Sequence, residues 1–194
     1  LFHRATFWIP MDKHFISAAD LLRDSFLLAE QIYASGFRPN FIVGVWRGGA
    51  PVGIAVQEYL EYKGLESDHI AIRTSSYYGI DQQDKDVRVH GLQYIIDRAN
   101  HDDNLLIVDD VFDSGRSITA VLRELKEKSR RNLPETIRIA CPWFKPKKNQ
   151  TEVIPDYYVH ETDQWLVFPH EINGLTEAEI RLGKPDMADI LFPN

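Results

Sequence analysis

The chain has 194 residues, 44% of them hydrophobic, and a formal net charge of −7 at pH 7. These values suit one globular domain with an ordinary core and at most a small appendage. The negative charge argues against a surface that coats nucleic acid, and no apolar run is long enough to span a membrane. The first residues lack the apolar core of a signal peptide, and the single cysteine, Cys141, cannot form an internal disulfide, so we expect a cytoplasmic protein.

Apolar spacing predicts alternating helices and strands in the first half of the chain. A capping box at Ser17 and the leucines after it predict a first helix that stops near Gly36. An apolar run, a helix with proline in its first turn and a second apolar run follow. Tyrosine, glycine, glutamine and aspartate then break the pattern, which predicts a long polar loop. In order, these segments cover residues 41–45, 51–63, 69–74 and 75–87.

The second half of the chain repeats this alternation. Strands that alternate with helices indicate an α/β fold, in which a mostly parallel twisted sheet has helices on both faces. Ligands of such sheets bind at the carboxyl ends of the strands. The expected elements are a short helix over 92–99, a strand over 105–108, a helix that ends near Arg131, strands over 136–141, 157–160 and 165–168, and a helix-prone tail from Thr176 that Gly183 and Pro185 interrupt.

The most informative segment runs from Leu105 to Ser117. Four apolar residues precede the adjacent carboxylates of Asp109 and Asp110, and a third carboxylate, Asp113, opens a hydroxyl-rich turn before a helix. The N-terminus of a helix binds anions through its unpaired N–H groups, but carboxylates would repel a bare phosphate. A ligand that carries hydroxyl groups as well as phosphate, with a divalent cation, satisfies both conditions. The segment therefore predicts a site for a sugar phosphate and a divalent metal.

Two further segments carry residues that suit such a ligand or an aromatic base. A cation and two glycines, Arg47, Gly48 and Gly49, follow the first apolar run, where backbone amides can approach an anion closely. Trp46 precedes them, and its ring would pack under the sheet or narrow the loop. Later, a lysine precedes an aromatic strand, and this combination can donate to a ring carbonyl and stack on a base.

The run from Leu105 to Ser117 resembles the phosphoribosyl-pyrophosphate (PRPP) signature of type I phosphoribosyltransferases, and about residues 15–172 fit that family. The later segments resemble the short bacterial and archaeal hypoxanthine, guanine and xanthine enzymes. The resemblance implies a core over about 15–141, a small C-terminal base-binding hood over about 142–172, and unassigned tails. It also implies transfer of the phosphoribosyl group of PRPP to a 6-oxopurine, with Mg²⁺ as cofactor, in a homodimer or a higher homo-oligomer.

The resemblance assigns a role to each motif. Asp109 and Asp110 would hold the ribose hydroxyls, with Asp110 also near the metal, and Asp113 would be the general base. A flexible loop that closes over PRPP would open with Ser75, Ser76 and Tyr77, and either Lys85 or Arg88 would reach the pyrophosphate. The remaining contacts are Asp113, Ser114, Gly115, Arg116 and Ser117 for the 5′-phosphate, Arg47, Gly48 and Gly49 for the pyrophosphate, and Lys145, Trp165 and Leu166 for the purine.

Two alternatives remain open at this point. One is a regulatory protein with the same fold that binds PRPP or a nucleotide as a signal. The other is a transferase for a different base, such as adenine or a pyrimidine. The presence of Asp113 together with Lys145 and Trp165 favours catalysis, and Lys145 favours a base with a 6-oxo group. The preferred purine is not determined by these residues.

Overall fold

The computed structural model describes residues 13–77 and 86–193. These residues form two compact units. One consists of residues 19–163, and the other consists of the described parts of residues 1–18 and 164–194. Among the described residues, no helix is both long enough and apolar enough to cross a membrane. The strands are β1 (Lys13–Phe15), β2 (Phe41–Trp46), β3 (Asp68–Tyr77), β4 (Asp86–His90), β5 (Asn104–Val108), β6 (Val111–Phe112), β7 (Thr136–Phe144), β8 (Tyr157–Glu161) and β9 (Trp165–Val167). The helices are α1 (Ala18–Ala34), α2 (Gly49–Tyr62), α3 (Gln93–Arg98), α4 (Arg116–Ser129), α5 (Glu177–Gly183) and α6 (Pro185–Leu191).

The larger unit is built around a seven-stranded sheet. Its strands follow the order β4-β3-β2-β5-β7, and both β6 and β8 pair with β7. All of these pairings are parallel except that of β3 with β4. The predicted α/β fold with a mostly parallel sheet is therefore confirmed. The carboxyl ends of the adjacent strands β2 and β5 meet at one edge of this sheet, where a ligand of such a fold is expected.

The core explains why the apolar runs form the central strands. Leu105, Leu106, Ile107 and Val108 of β5 are completely buried, as is Val43 of the neighbouring β2. A strand that is covered on both faces needs a continuous apolar run rather than an alternating one. Helix α4 is buried on one face only, so its core residues recur at helical spacing. Among them are Ile118, Val121 and Leu125.

Two predicted boundaries in the larger unit are wrong. Ser75, Ser76 and Tyr77 were expected in a loop, but they end β3 and pair with residues 86–88 of β4. Polar side chains are tolerated there because the hairpin lies at the edge of the sheet and is partly exposed. The strand expected to end near Pro142 continues to Phe144, because β6 pairs with Trp143 and Phe144. Residues 142–163 are part of the larger unit, and the base-binding hood over about 142–172 stays a prediction.

The smaller unit joins the two ends of the chain. Its strand β1 pairs in parallel with β9, and the Lys13 ammonium lies 2.6 Å from a carboxylate oxygen of Glu179 on α5. Thr176 and Glu179 form a capping box that starts α5. The buried Lys184 ammonium donates to the carbonyl oxygens of Phe168 at 2.6 Å and of Pro169 at 3.0 Å. Burial lowers the pKa of Lys184. The C-terminal segment is therefore an integral part of the unit that contains β9.

Candidate active site

The acidic pair lies directly after the buried strand β5. The backbone N–H of Asp110 donates to Oδ1 of Asp109 at 2.9 Å, and the N–H of Asp109 donates to the carbonyl oxygen of Ala140 at 3.1 Å. Burial, together with the negative charge of Asp110, raises the pKa of Asp109 well above the usual value of an aspartate. Two carboxylates placed this way favour a ligand that brings positive charge or hydroxyl donors.

The loop Arg47–Gly49, named here the Arg47 loop, packs directly on this acidic pair. A Cβ atom built on Gly48 would lie 1.7 Å from Oδ2 of Asp110, and one built on Gly49 would lie 2.3 Å from the carbonyl oxygen of Val108. A side chain at Gly49 would overlap backbone atoms, and one at Gly48 would require the Asp110 carboxylate to move. The sequence predicted glycine there for close approach to an anion, and the structure adds a second reason, which is the contact between the two loops. The peptide bond before Arg47 is cis.

The Arg47 loop also leads into a helix N-terminus. Gly48 is the N-cap residue of α2, and the Arg47 side chain is exposed. The turn Asp113–Ser117, named here the Asp113 turn, leads in the same way into α4, with Gly115 as N-cap residue at φ +76°. Gly115 is required by this left-handed conformation. The N-terminus of α2 thus follows β2 and that of α4 follows β6, and each offers backbone N–H groups to an anion.

A small cavity of about 80 Å³ brings together four of the five predicted phosphate residues. It is lined by Asp109, Asp113, Ser114, Gly115 and Ser117, together with Val111, Phe112 and Ile118. The backbone N–H of Arg116 donates to the Ser114 hydroxyl at 3.4 Å, which holds the turn closed at the start of α4. Asp109 and four residues of the Asp113 turn are therefore neighbours around one concave surface, whose lining does not include Asp110 or Arg116.

Lys145 reaches the same surface from β7. Its ammonium lies 3.1 Å from Oδ2 of Asp113, and its backbone N–H donates to the carbonyl oxygen of Phe112 at 2.9 Å. The Lys145 side chain is 10% exposed, whereas that of Asp113 is 49% exposed. The residue predicted to contact the purine and the predicted general base are thus in direct contact, although 32 positions separate them in the sequence.

Trp165 and Leu166 belong to the smaller unit. Trp165 begins β9 with its ring about half exposed, and the Lys13 ammonium lies 5.9 Å from the ring centroid. Leu166 is buried. Their roles in purine binding stay predictions.

Comparison with known proteins identifies the family. A model of the phosphoribosyl transferase domain matches residues 20–173. The chain belongs to the phosphoribosyltransferase family. The matched segment contains the Arg47 loop, the acidic pair, the Asp113 turn, Lys145 and Trp165, and it ends before helices α5 and α6. No protein with a curated description matches the chain significantly.

Solved structures support this assignment. The chain is 30% identical to a purine phosphoribosyltransferase from Pyrococcus horikoshii, with a TM-score of 0.67 and coverage of 86% of this chain and 99% of that one. A hypothetical protein from Neisseria gonorrhoeae with bound ppGpp is 22% identical, with a TM-score of 0.72 and coverage of 91% and 98%. The xanthine-guanine-hypoxanthine phosphoribosyltransferase of Helicobacter pylori is 24% identical, with a TM-score of 0.64 and coverage of 83% and 95%. At 22% and 24% identity, the last two structures show only that their fold is the same as that of this chain.

Sequence reasoning missed several polar residues that position the Asp113 turn. A Cβ atom on Gly115 would lie 2.5 Å from Oγ1 of Thr151 and 2.8 Å from Oδ1 of Asn149, so both side chains pack against the turn. The N–H of Gln150 donates to the carbonyl oxygen of Ser114 at 3.0 Å. From β3, the Thr74 hydroxyl donates to the Ser117 hydroxyl at 3.4 Å. No local sequence pattern indicates these residues, because their role depends on contacts between distant elements.

Other predicted residues lie elsewhere or outside the described part. Trp46 is 55% exposed and lines a groove with Ile54 and His69, together with residues of β2 and β3. Arg88 pairs with Ser75 on the β3–β4 hairpin, whereas Lys85 lies outside the described residues. Cys141 is buried, and burial raises the pKa of its thiol, so it is not a nucleophile.

Proposed function

We propose that this phosphoribosyltransferase acts on purines and transfers the 5-phosphoribosyl group of PRPP to a 6-oxopurine. In this reaction the purine attacks C1 of PRPP, pyrophosphate leaves, and a nucleoside 5′-monophosphate forms. The proteins with similar structures from P. horikoshii and H. pylori are described as purine and as xanthine-guanine-hypoxanthine phosphoribosyltransferases, which supports a purine substrate. We further propose that the enzyme is cytoplasmic and forms a homodimer or a higher homo-oligomer.

The observation that carries the proposal is the contact between Lys145 and Asp113. A lysine ammonium has three donors and no acceptor, so one donor can remain on Asp113 while another meets a carbonyl oxygen. The 6-position of hypoxanthine, guanine and xanthine is such an oxygen, whereas adenine presents an amine there. Because the Lys145 side chain is almost buried, a base that offers no acceptor to its second donor loses binding energy.

Each group in the site then has a distinct task. Asp109 and Asp110 accept hydrogen bonds from the ribose hydroxyls, and the N-terminus of α4 holds the 5′-phosphate. The N-terminus of α2, with Arg47, holds the pyrophosphate as it leaves. Asp113 accepts a proton on the N7 side of the purine. Positioning and electrostatic stabilisation of the cationic sugar account for most of the rate in this scheme.

Mg²⁺ suits this site as a cation that protein and substrate share. Among the described residues, no group of three or more histidine, cysteine, aspartate or glutamate side chains could hold a metal by itself. Mg²⁺ commonly binds through one or two carboxylates together with water and substrate phosphates. Asp110 would hold it either through water or through the hydroxyls of PRPP, and the cation would neutralise the charge of the pyrophosphate. The raised pKa of Asp109 fits a site that is completed by a positive group.

A base panel tests the proposal. Purified enzyme with PRPP and Mg²⁺ is given hypoxanthine, guanine, xanthine, adenine or uracil, and pyrophosphate release is measured. We expect turnover with at least one 6-oxopurine and its loss in excess chelator. Turnover that is fastest with adenine or uracil would overturn the substrate, and undiminished activity in chelator would overturn the metal.

A nucleotide-binding regulator is the second candidate, and one observation favours it. The structure from N. gonorrhoeae has the same fold over 91% of this chain and holds ppGpp. A guanine nucleotide with two diphosphate groups carries a base, a ribose and phosphates, which are the groups that the proposed site would bind. Calorimetric titration with ppGpp in the absence of PRPP tests this function. Tight binding without turnover of any base in the panel would favour the regulator.

A further inference from the structure

Helix α1 has two apolar faces, and only one of them is buried. The buried face follows helical spacing and consists of Leu21, Asp24, Ser25, Leu28, Ala29 and Ile32. The opposite face carries Leu22, Phe26 and Leu27, whose exposed fractions are 51%, 38% and 41%. A surface helix in a monomer usually shows polar residues there. Scattered apolar residues need no explanation, but a contiguous exposed patch marks an interaction surface.

The exposed face forms one wall of a groove. Tyr59 of α2 forms the other wall, its ring 6.3 Å from that of Phe26, and the groove has a volume of about 580 Å³. Of the charged residues that line it, Arg23 lies toward the start of α1 and Glu30 toward its end, and the Lys63 ammonium lies 5.3 Å from the Tyr59 ring centroid. The Tyr59 hydroxyl donates to the Glu30 carboxylate, which fixes the position of this negative charge.

The order of charges along α1 is self-complementary. Arg23 and Glu30 are seven residues apart, which is about two turns or 10.5 Å along the helix, and the apolar pair Phe26 and Leu27 lies midway. A two-fold axis through that midpoint would bring a second α1 alongside in antiparallel orientation. Each Arg23 would then face Glu30 of the other copy, and Phe26 would face Leu27.

We propose that this groove is the contact surface for a second copy of the chain, related by a two-fold axis at Phe26 and Leu27. A single patch that carries both halves of each ion pair is what an isologous dimer requires. An unrelated partner would need the same spacing of opposite charges by coincidence. The proposal specifies the surface of the homo-oligomer proposed above, and it is independent of the reaction catalysed.

Charge reversal tests the two-fold arrangement directly. Sedimentation velocity over a range of concentrations gives the dissociation constant of the dimer for the wild type, Arg23→Glu, Glu30→Arg and the double variant. Each single variant places like charges together twice, so we expect its dissociation constant to rise at least tenfold. The double variant restores both pairs and should return to within about threefold of the wild type. Lys126→Glu on α4 is the matched control for an exposed charge reversal and should change nothing.

An apolar substitution gives a second, separate measurement. Leu27→Asp should abolish the dimer, whereas Ile54→Asp, at an exposed apolar position of α2 outside the groove, should leave it intact. The melting temperatures of all variants show whether the fold is retained.

Three results would overturn the proposal. The first is a dimer whose dissociation constant is unchanged in both Arg23→Glu and Leu27→Asp, because it must use another face. The second is a double variant that is no tighter than the two single ones. The third is a wild-type protein that is monomeric at tens of micromolar. This result overturns the proposal even when the groove binds another apolar segment. Loss of transferase activity alone would affect the proposed function and leave this test valid.

Discussion

The two glycines of the Arg47 loop allow substrate binding and stability to be perturbed separately. In Gly48→Ala the new methyl group overlaps a side chain, with Oδ2 of Asp110 at 1.7 Å and its Cγ at 2.1 Å. Asp110 can rotate away, but its carboxylate then leaves the place where the ribose is expected. In Gly49→Ala the methyl group meets backbone, with the carbonyl oxygen of Val108 at 2.3 Å and Cα of Asp109 at 2.9 Å. Strand β5 is completely buried there and cannot move aside.

The contacts give different magnitudes for the two variants. Overpacking against fixed atoms costs about 1–3 kcal/mol, which for a protein of this size lowers the melting temperature by about 2–12 °C in Gly49→Ala. Turning one side chain off its preferred rotamer costs only about 0.5–1.5 kcal/mol in Gly48→Ala. A lost hydrogen bond to a charged group is worth about 1.5–3 kcal/mol, so the KM for PRPP in Gly48→Ala should rise about 10- to 150-fold.

Gly53→Ala is the matched control. Gly53 lies inside α2, and a Cβ atom there would have only Cα of Gly44 nearby, at 3.7 Å, which is an ordinary contact. Alanine should therefore stabilise the protein by about 0.4–1 kcal/mol and leave the KM for PRPP unchanged. Scanning calorimetry and steady-state kinetics measure both quantities. The reasoning is refuted if Gly48→Ala keeps the wild-type KM for PRPP, or if Gly49→Ala melts at the same temperature as Gly53→Ala.

Three further predictions concern single side chains. Because the raised pKa of Asp109 makes the folded protein bind its proton more tightly than the unfolded chain does, stability falls as pH rises through that pKa. Asp109→Asn should thus melt above the wild type at neutral pH and lose this advantage below about pH 4; parallel melting curves would contradict this. Lys145→Met, with the exposed Lys148→Met as control, should shift kcat/KM from hypoxanthine toward adenine, and a constant ratio would exclude Lys145 from the 6-position. Trp165→Ala should raise the KM for the base about 2- to 13-fold and the KM for PRPP less. An unchanged KM for the base in a stably folded variant would show that the ring does not stack on the purine.

Local sequence patterns were sufficient for the central part of the fold. The apolar runs of β2 and β5 and the helical stripe of α4 each satisfy one requirement that is visible within ten residues, namely burial on both faces or on one face. The acidic pair and the Asp113 turn were located for the same reason, because strand, turn and helix start follow each other directly. The helix-prone tail from Thr176, interrupted near Gly183 and Pro185, was predicted in the same way and corresponds to α5 and α6.

Features that depend on distant partners could not be predicted. Strand β1 has three residues and exists because it pairs with β9 at the other end of the chain. The end of β3 consists of polar residues, and only its antiparallel partner β4 shows it to be a strand. The contact between Lys145 and Asp113 follows from the pairing of β6 with β7, which brings the ends of both strands together. None of these pairings can be recognised from the local sequence pattern.

The interlock of the Arg47 loop with the acidic pair links the two halves of the proposed PRPP site. Gly48 contacts Asp110 and Gly49 contacts the backbone of Val108 and Asp109, so the loop cannot shift without displacing the carboxylates. The fold thereby holds a buried carboxyl of raised pKa next to another carboxylate, an arrangement that destabilises the free protein at neutral pH. Such an arrangement is favourable only when a ligand supplies the missing positive charge and donors. Under the proposed function, this arrangement would preorganise the site for a magnesium-bound sugar pyrophosphate.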